Sequence, residues 1–184
     1  MSIDNLRCAL FLTPKQHDFT VTDWPQFITE LRNIGLIADT VTDQENNFYT
    51  GKRYLDYIAY MGCAPAIQFE ASETSENFCH VIIHQHESEK LIVSKTQARA
   101  PHCPNCNKPV KEWLDNKTED AIHCPLCSTR SNIADYNWRK MGGYGRLFIE
   151  ITDIFPKEAT PQQTLLDKLT GISKADWSYF YSCR

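Results

Sequence analysis

Long apolar runs are missing from this chain of 184 residues. No stretch approaches the roughly 18 apolar residues that cross a bilayer as a helix. Leu10, Phe11 and Leu12 form only a short run, and no charged segment followed by a long apolar one stands near Met1. A secretory leader is therefore not expected, and the chain reads as cytoplasmic, with no membrane partner. The Walker pattern and the dinucleotide fingerprint are both absent, so Gly142-Gly143-Tyr144-Gly145 is no phosphate loop. No nucleophile and base stand in a recognisable arrangement, and no catalytic residue is assigned.

What is present is ordinary for a soluble globular protein: 42% hydrophobic and 23% charged residues. Such a chain buries a core without relying on metal or disulfides. In a reducing cytosol its eight cysteines are expected to form no disulfide framework.

Strand and helix signals alternate. Leu6 to Leu12 reads as a strand. Asp23 caps a helix opened by Trp24-Pro25, with Phe27, Ile28, Leu31 and Ile34 at helical spacing and Gly35 closing it. Leu36 to Val41 is a second strand candidate, and Tyr54 to Met61 a short helix closed by Gly62. Ala66 to Glu70 and Phe78 to His86 come next as strands, and Leu91 to Lys95 is expected to extend or repeat that pairing. Gly142 to Gly145 reads as a flexible turn, Arg146 to Ile151 as a strand, Thr160-Pro161 as a helix start, Gly171 as its end, and Trp177 to Tyr181 as a last strand. The first 41 and last 40 residues thus share one order of elements. That order predicts an α+β fold: a mixed or antiparallel sheet with helices on one face, ferredoxin-like or related. The main domain would comprise residues 1–99 and 136–184, with residues 100–135 inserted as a small module.

The inserted segment holds Cys103-Pro104-Asn105-Cys106, then seventeen residues, then Cys124-Pro125-Leu126-Cys127. Two residues between thiols let both sulfurs of a tight turn face one ion, and two such turns complete a tetrahedron. The gap suits a four-cysteine zinc site. Over about residues 101–135 the segment resembles the zinc ribbon family, in which two such knuckles face each other across the metal. The resemblance implies one structural zinc ion on Cys103, Cys106, Cys124 and Cys127. The glycine usual just after a knuckle is replaced by Asn107 and Ser128. Trp113 and Leu114 are expected to form the ribbon's small apolar face. A redox pair, an iron–sulfur cluster or a metal-free relic are the competing readings of the cysteines; haem attachment is excluded because neither pair is immediately followed by His. His102 and His123 precede knuckle cysteines but are not needed as ligands. Four thiolates close the site, leaving no position for a catalytic water.

Three further features weigh on function. His80, His84 and His86 share one strand face by period two, with Glu87 or Glu89 near, either as an enzyme site or as an outward polar face. Cys63, Cys8, Cys79 and Cys183 read as small buried hydrophobes. Trp138-Arg139-Lys140 and Tyr144-Gly145-Arg146 mix aromatics and cations, for contact with nucleic acid or for packing the ribbon onto the main domain. The net charge is −4, yet residues 95–146 carry nine Lys or Arg against five Asp or Glu. The favoured expectation is a non-enzymatic binding or adaptor protein that uses a zinc ribbon to recognise a protein. Nucleic acid, held through Arg139, Lys140, Arg146, Trp138 and Tyr144, ranks behind it, as does an enzyme near His80, His84 and His86 with purely structural zinc.

Overall fold

The computed structural model describes residues 7–42, 44–62, 67–72, 77–94 and 99–184. The elements in chain order are β1 (Cys8–Pro14), α1 (Trp24–Asn33), β2 (Ile37–Thr40), β3 (Asn47–Thr50), α2 (Tyr54–Tyr57), β4 (Ile58–Tyr60) and β5 (Val81–Val93). After these come β6 (Ala121–His123), β7 (Arg130–Asn132), β8 (Gly142–Thr152), β9 (Ala159–Pro161), α3 (Gln163–Ser173) and β10 (Trp177–Cys183). Cys63, Ala66 and Lys95 lie outside the described residues, as does Leu6 at the expected start of the first strand.

The main sheet has six strands in the order β10-β1-β8-β5-β3-β2. Every pairing in it is antiparallel. Four neighbouring strands, β10-β1-β8-β5, have the split β-α-β order of a ferredoxin-like sheet: β8 lies between β1 and β5, and β1 lies between β8 and β10. The β2–β3 hairpin extends this core beyond β5. Alternation explains the faces. Leu10, Leu12, Val81, Ile83, Ile149 and Ile151 point to one side and pack with Phe27, Ile28 and Leu31 of α1 and Leu165 and Leu169 of α3. The side chain of Asp23 accepts a hydrogen bond from the Gln26 amide at 3.0 Å, capping α1 as expected, and Gly35 takes the left-handed φ of 78° behind it.

The opposite face carries Ala9, Phe11, Phe148 and Phe180, all buried. The β5–β8 hairpin covers it by bending. Gln85 pairs with Leu147, but the next pair is Lys90 with Gly145, so residues 86–89 bulge opposite Arg146 alone. A bulge bends its strand and turns the residues on its far side in a new direction. That far part of the hairpin lies against β10: a Cβ on Gly143 would stand 2.2 Å from the Phe180 ring, and the Cys183 amide donates to Ser94 Oγ at 2.9 Å.

Several local readings change. Gly142 to Gly145 is strand, not a turn; glycine is needed there for close approach to Phe180 and Val93, not for flexibility. Leu91 extends the preceding strand rather than repeating it: β5 is one strand from Val81, not Phe78, to Val93, because β8 pairs with it on both sides of the bulge. Ile58 to Tyr60 leaves the expected helix to pair with Ala159 to Pro161, so Thr160-Pro161 belongs to a strand. α3 continues through Gly171 and ends at Lys174, whose φ is 61°. Residues 67–69 are not in a strand.

Cys8 and Cys183 form a disulfide, contrary to the reading of both as free hydrophobes. They face each other across β1 and β10. The flanking Arg7 and Arg184 exchange both backbone hydrogen bonds, at 3.0 and 2.8 Å. The cysteines therefore occupy the non-bonded position, where opposed side chains come closest. A separation of 175 residues hides this pairing from any local pattern. The bond departs from the expectation that a reducing cytosol leaves all eight cysteines without disulfides. Among the described residues, no helix is long and apolar enough to cross a membrane.

Candidate metal centre

The two cysteine turns are built alike. The Cys103 amide donates to Lys108 O at 3.0 Å and the Asn107 amide to Cys103 O at 2.9 Å. In the second turn the Cys124 amide donates to Thr129 O at 2.9 Å and the Ser128 amide to Cys124 O at 2.8 Å. Asn107 and Ser128 occupy the glycine positions with φ of 55° and 59°. The knuckle geometry is thus kept, with two non-glycine residues held in the left-handed region.

Cys103, Cys106, Cys124 and Cys127 offer four sulfurs, all within 4.8 Å of one another. Cys103 Sγ stands 3.7 Å from Cys127 Sγ, and Cys106 Sγ 3.9 Å from Cys124 Sγ. Thiolates about 2.3 Å from a tetrahedral ion stand about 3.8 Å apart, so the donor set fits one metal ion. A hydrogen bond with the Thr129 side chain, then one with Asn105, pulls the Cys127 thiol down to about 5. A backbone hydrogen bond from Lys108 favours the Cys106 thiolate, yet desolvation and the three neighbouring sulfurs hold that thiol up at about 11. Four thiolates this close repel, and a cation between them relieves the repulsion.

A small apolar interior backs the cluster. Val110, Trp113, Ile122, Ile133, Tyr136 and Trp138 pack with Cys103 and Cys124. Tyr136 Oη donates to Ile122 O at 3.1 Å and Trp138 Nε1 to Ile133 O at 3.0 Å. Leu91, Val93 and Tyr144 from the bent hairpin pack against the same interior, which fixes the module on the sheet. Trp113 serves that interior as expected; Leu114 does not, and is 68% exposed. The His102 amide donates to Asn137 O at 2.9 Å, and His123 is exposed; neither belongs to the sulfur cluster.

The three strand histidines do not converge. His84 and His86 stack at 6.1 Å, but His80 Nδ1 lies 3.0 Å from both Phe78 O and Thr152 Oγ1. Desolvation, then His84 and Lys90, lower the pKa of His86. The acid beside His84 is neither Glu87 nor Glu89. It is Glu150, whose Oε2 lies 2.7 Å from His84 Nε2 and 3.1 Å from an Arg184 nitrogen. Its sequence signal is a lone carboxylate inside the apolar run Leu147 to Ile151.

The basic segment divides. Trp138 is buried in the apolar interior that backs the cysteines, which is the packing alternative. Arg146 donates to His86 O and Glu87 O and so ties down the bulge. Arg139, Lys140 and Tyr144 instead line a cavity of about 290 Å³ between the cysteine module and the sheet, together with Lys15, His17 and Tyr179. Sequence reading missed Lys15 and His17, because only the fold brings the end of β1 to this cleft.

No family model matches the chain, and no curated protein or solved structure is significantly similar to it.

Proposed function

We propose that this is a non-enzymatic binding protein in which one zinc ion, held by Cys103, Cys106, Cys124 and Cys127, makes a ribbon rigid enough to form one wall of a binding surface. The carrying observation is the sulfur spacing of 3.7 and 3.9 Å, which suits tetrahedral zinc. When bound, the ion supplies a cross-link between the two knuckles. Four thiolates fill its coordination and leave no place for substrate. The chain's own residues do the rest: Trp113 and Trp138 pack the ribbon interior, and Leu91, Val93 and Tyr144 seat it on the hairpin.

A second reading rests on the 2.7 Å contact of His84 with Glu150, an arrangement suited to acid–base work. Arg184 contacts the same carboxylate oxygen. The carboxylate is thus balanced by a guanidinium, which favours a structural ion pair.

Metal analysis of the purified protein tests the first reading. About one zinc per chain is expected, and cobalt in its place should give the absorption of a tetrahedral thiolate site. Cys124→Ser should abolish stoichiometric zinc. Zinc-free protein with all four thiols reactive in the native state would overturn the proposal.

A further inference from the structure

The cleft between ribbon and sheet has a composition that the chain as a whole does not. Three cations line it, Lys15, Arg139 and Lys140, with His17 beside them and no Asp or Glu. Asp167 and Asp176 face an adjoining groove on the other side of Lys15. None of the three cations forms an ion pair among the described residues. A concentration of unpaired positive charge in a chain of net charge −4 is a focused field for an anion.

The cations are placed by strained backbone. Trp138 O accepts from the Met141 amide at 2.9 Å, closing a tight turn. Its two central residues are Arg139 and Lys140, with φ of 55° and 62°. Asn and Gly are the usual occupants of such a turn. The Tyr181 amide donates to Lys140 O at 2.9 Å and pins the turn to β10. Lys140 Nζ rests 3.8 Å from the centre of the Tyr179 ring, at the cleft wall. Burial, then the nearness of Lys15, lowers the Lys140 pKa, as expected for a cation lacking a counter-ion.

Aromatic rings supply the second half of the chemistry. Tyr144 and Tyr179 are half-buried members of the lining. His17 meets the Tyr144 ring at 5.7 Å, and its Nδ1 lies 2.8 Å from Tyr144 O, so the ring is held in place. At about 290 Å³ the cleft is at the small end of ligand sites and admits one flat group with its charge, not a helix or a duplex.

We infer that this cleft binds a nucleotide unit, its phosphate on Lys15, Arg139 and Lys140 and its base against Tyr144. The inference deepens the binding-protein reading and rests on it, since the ribbon forms one wall. Guanidinium and ammonium groups provide charge-assisted hydrogen bonds to phosphate oxygens, and stacking on an aromatic ring is tolerant of base identity. The unit could be a free mononucleotide or one residue of a single strand. An acidic peptide shares the negative charge but has no flat ring to match the aromatic wall.

Calorimetric titration at low salt, on full-length protein whose zinc content has been assayed, tests this. The probes are adenosine monophosphate, inorganic phosphate, a short single-stranded oligonucleotide and a glutamate-rich peptide. Adenosine monophosphate should bind at least tenfold more tightly than phosphate. The pair Arg139→Gln and Lys140→Gln should weaken every phosphate-bearing probe tenfold or more. Tyr144→Leu should weaken the nucleotide and leave phosphate unchanged. Lys111→Gln, on the exposed ribbon surface, should change nothing. A strand that binds more tightly than the mononucleotide identifies nucleic acid as the source; one that binds no better identifies the free nucleotide. The inference is overturned if zinc-loaded protein binds neither nucleotide nor strand at millimolar concentration, if the cation variants bind as wild type does, or if the acidic peptide outcompetes both. Absence of zinc would instead count against the ribbon itself, so the two failures are read separately.

Discussion

The indole rings of Trp113 and Trp138 meet edge to face, 5.0 Å apart and at 87°. One lies between the two knuckles and the other just beyond the ribbon's last strand. Their contact closes the ribbon interior, which is a separate apolar cluster from the one under α1 and α3. Trp113→Ala should destabilise the ribbon by about 3–5 kcal/mol, the usual cost of removing a buried aromatic. Faster zinc loss to a chelator should report it, while most far-UV circular dichroism persists. Cooperative loss of all secondary structure on chelation would show ribbon and sheet to be one unit.

Ser128 stands at φ 59° in a position where glycine is unstrained. Its side chain is exposed, so little packing is lost by removing it. Ser128→Gly should therefore raise ribbon stability by about 1 kcal/mol or less, the left-handed penalty outweighing the extra chain entropy. Competition for zinc against a chromophoric chelator measures this. A clear fall in zinc affinity would mean that the serine contributes something its backbone angle does not show.

The Cys8–Cys183 bond joins the neighbouring strands β1 and β10 across a sequence separation of 175 residues. Peptide mapping without reductant should recover these two cysteines joined. Replacing Cys8 by Ala should cost about 2–5 kcal/mol, since the unfolded chain then regains the freedom the long loop had lost. Equal denaturation midpoints with and without reductant would contradict this.

Cys79 lies buried with its sulfur 3.3 Å from Tyr54 Oη. Burial, above all, raises its thiol from 9.0 to about 11, and desolvation likewise raises Tyr54. Between those two pH values the unfolded chain releases the Cys79 proton and the folded chain keeps it. Stability from this group is thus full below pH 9, falls as pH rises from 9 to 11, and is level above. Two units correspond to about 2–3 kcal/mol. Urea midpoints across this window should decline less steeply for Cys79→Ala than for wild type; parallel declines would assign the alkaline sensitivity elsewhere.

Features that a short window can encode were legible. Asp23, the Phe27, Ile28 and Leu31 spacing and Gly35 marked α1. The paired cysteines marked four sulfurs that the fold brings together and that could hold a metal ion, because the bite of a two-residue turn is a local property. The apolar stretch of Arg146 to Ile151 marked a strand, and the order of elements pointed to the split β-α-β sheet.

Contacts between distant segments were not legible in this way. Alternation fixes which face a residue joins but not its register, so nothing local announced that residues 86–89 would bulge opposite Arg146. That bulge bends the hairpin over Phe180 and carries the ribbon to its seat. It also makes Gly143 a packing residue, where the sequence suggested a hinge. The meeting of Cys8 with Cys183, of His84 with Glu150, and of Lys15 with Lys140 belongs to the same class. Each depends on which strands become neighbours, and that is decided by burying both faces of the sheet at once, a property of the whole chain.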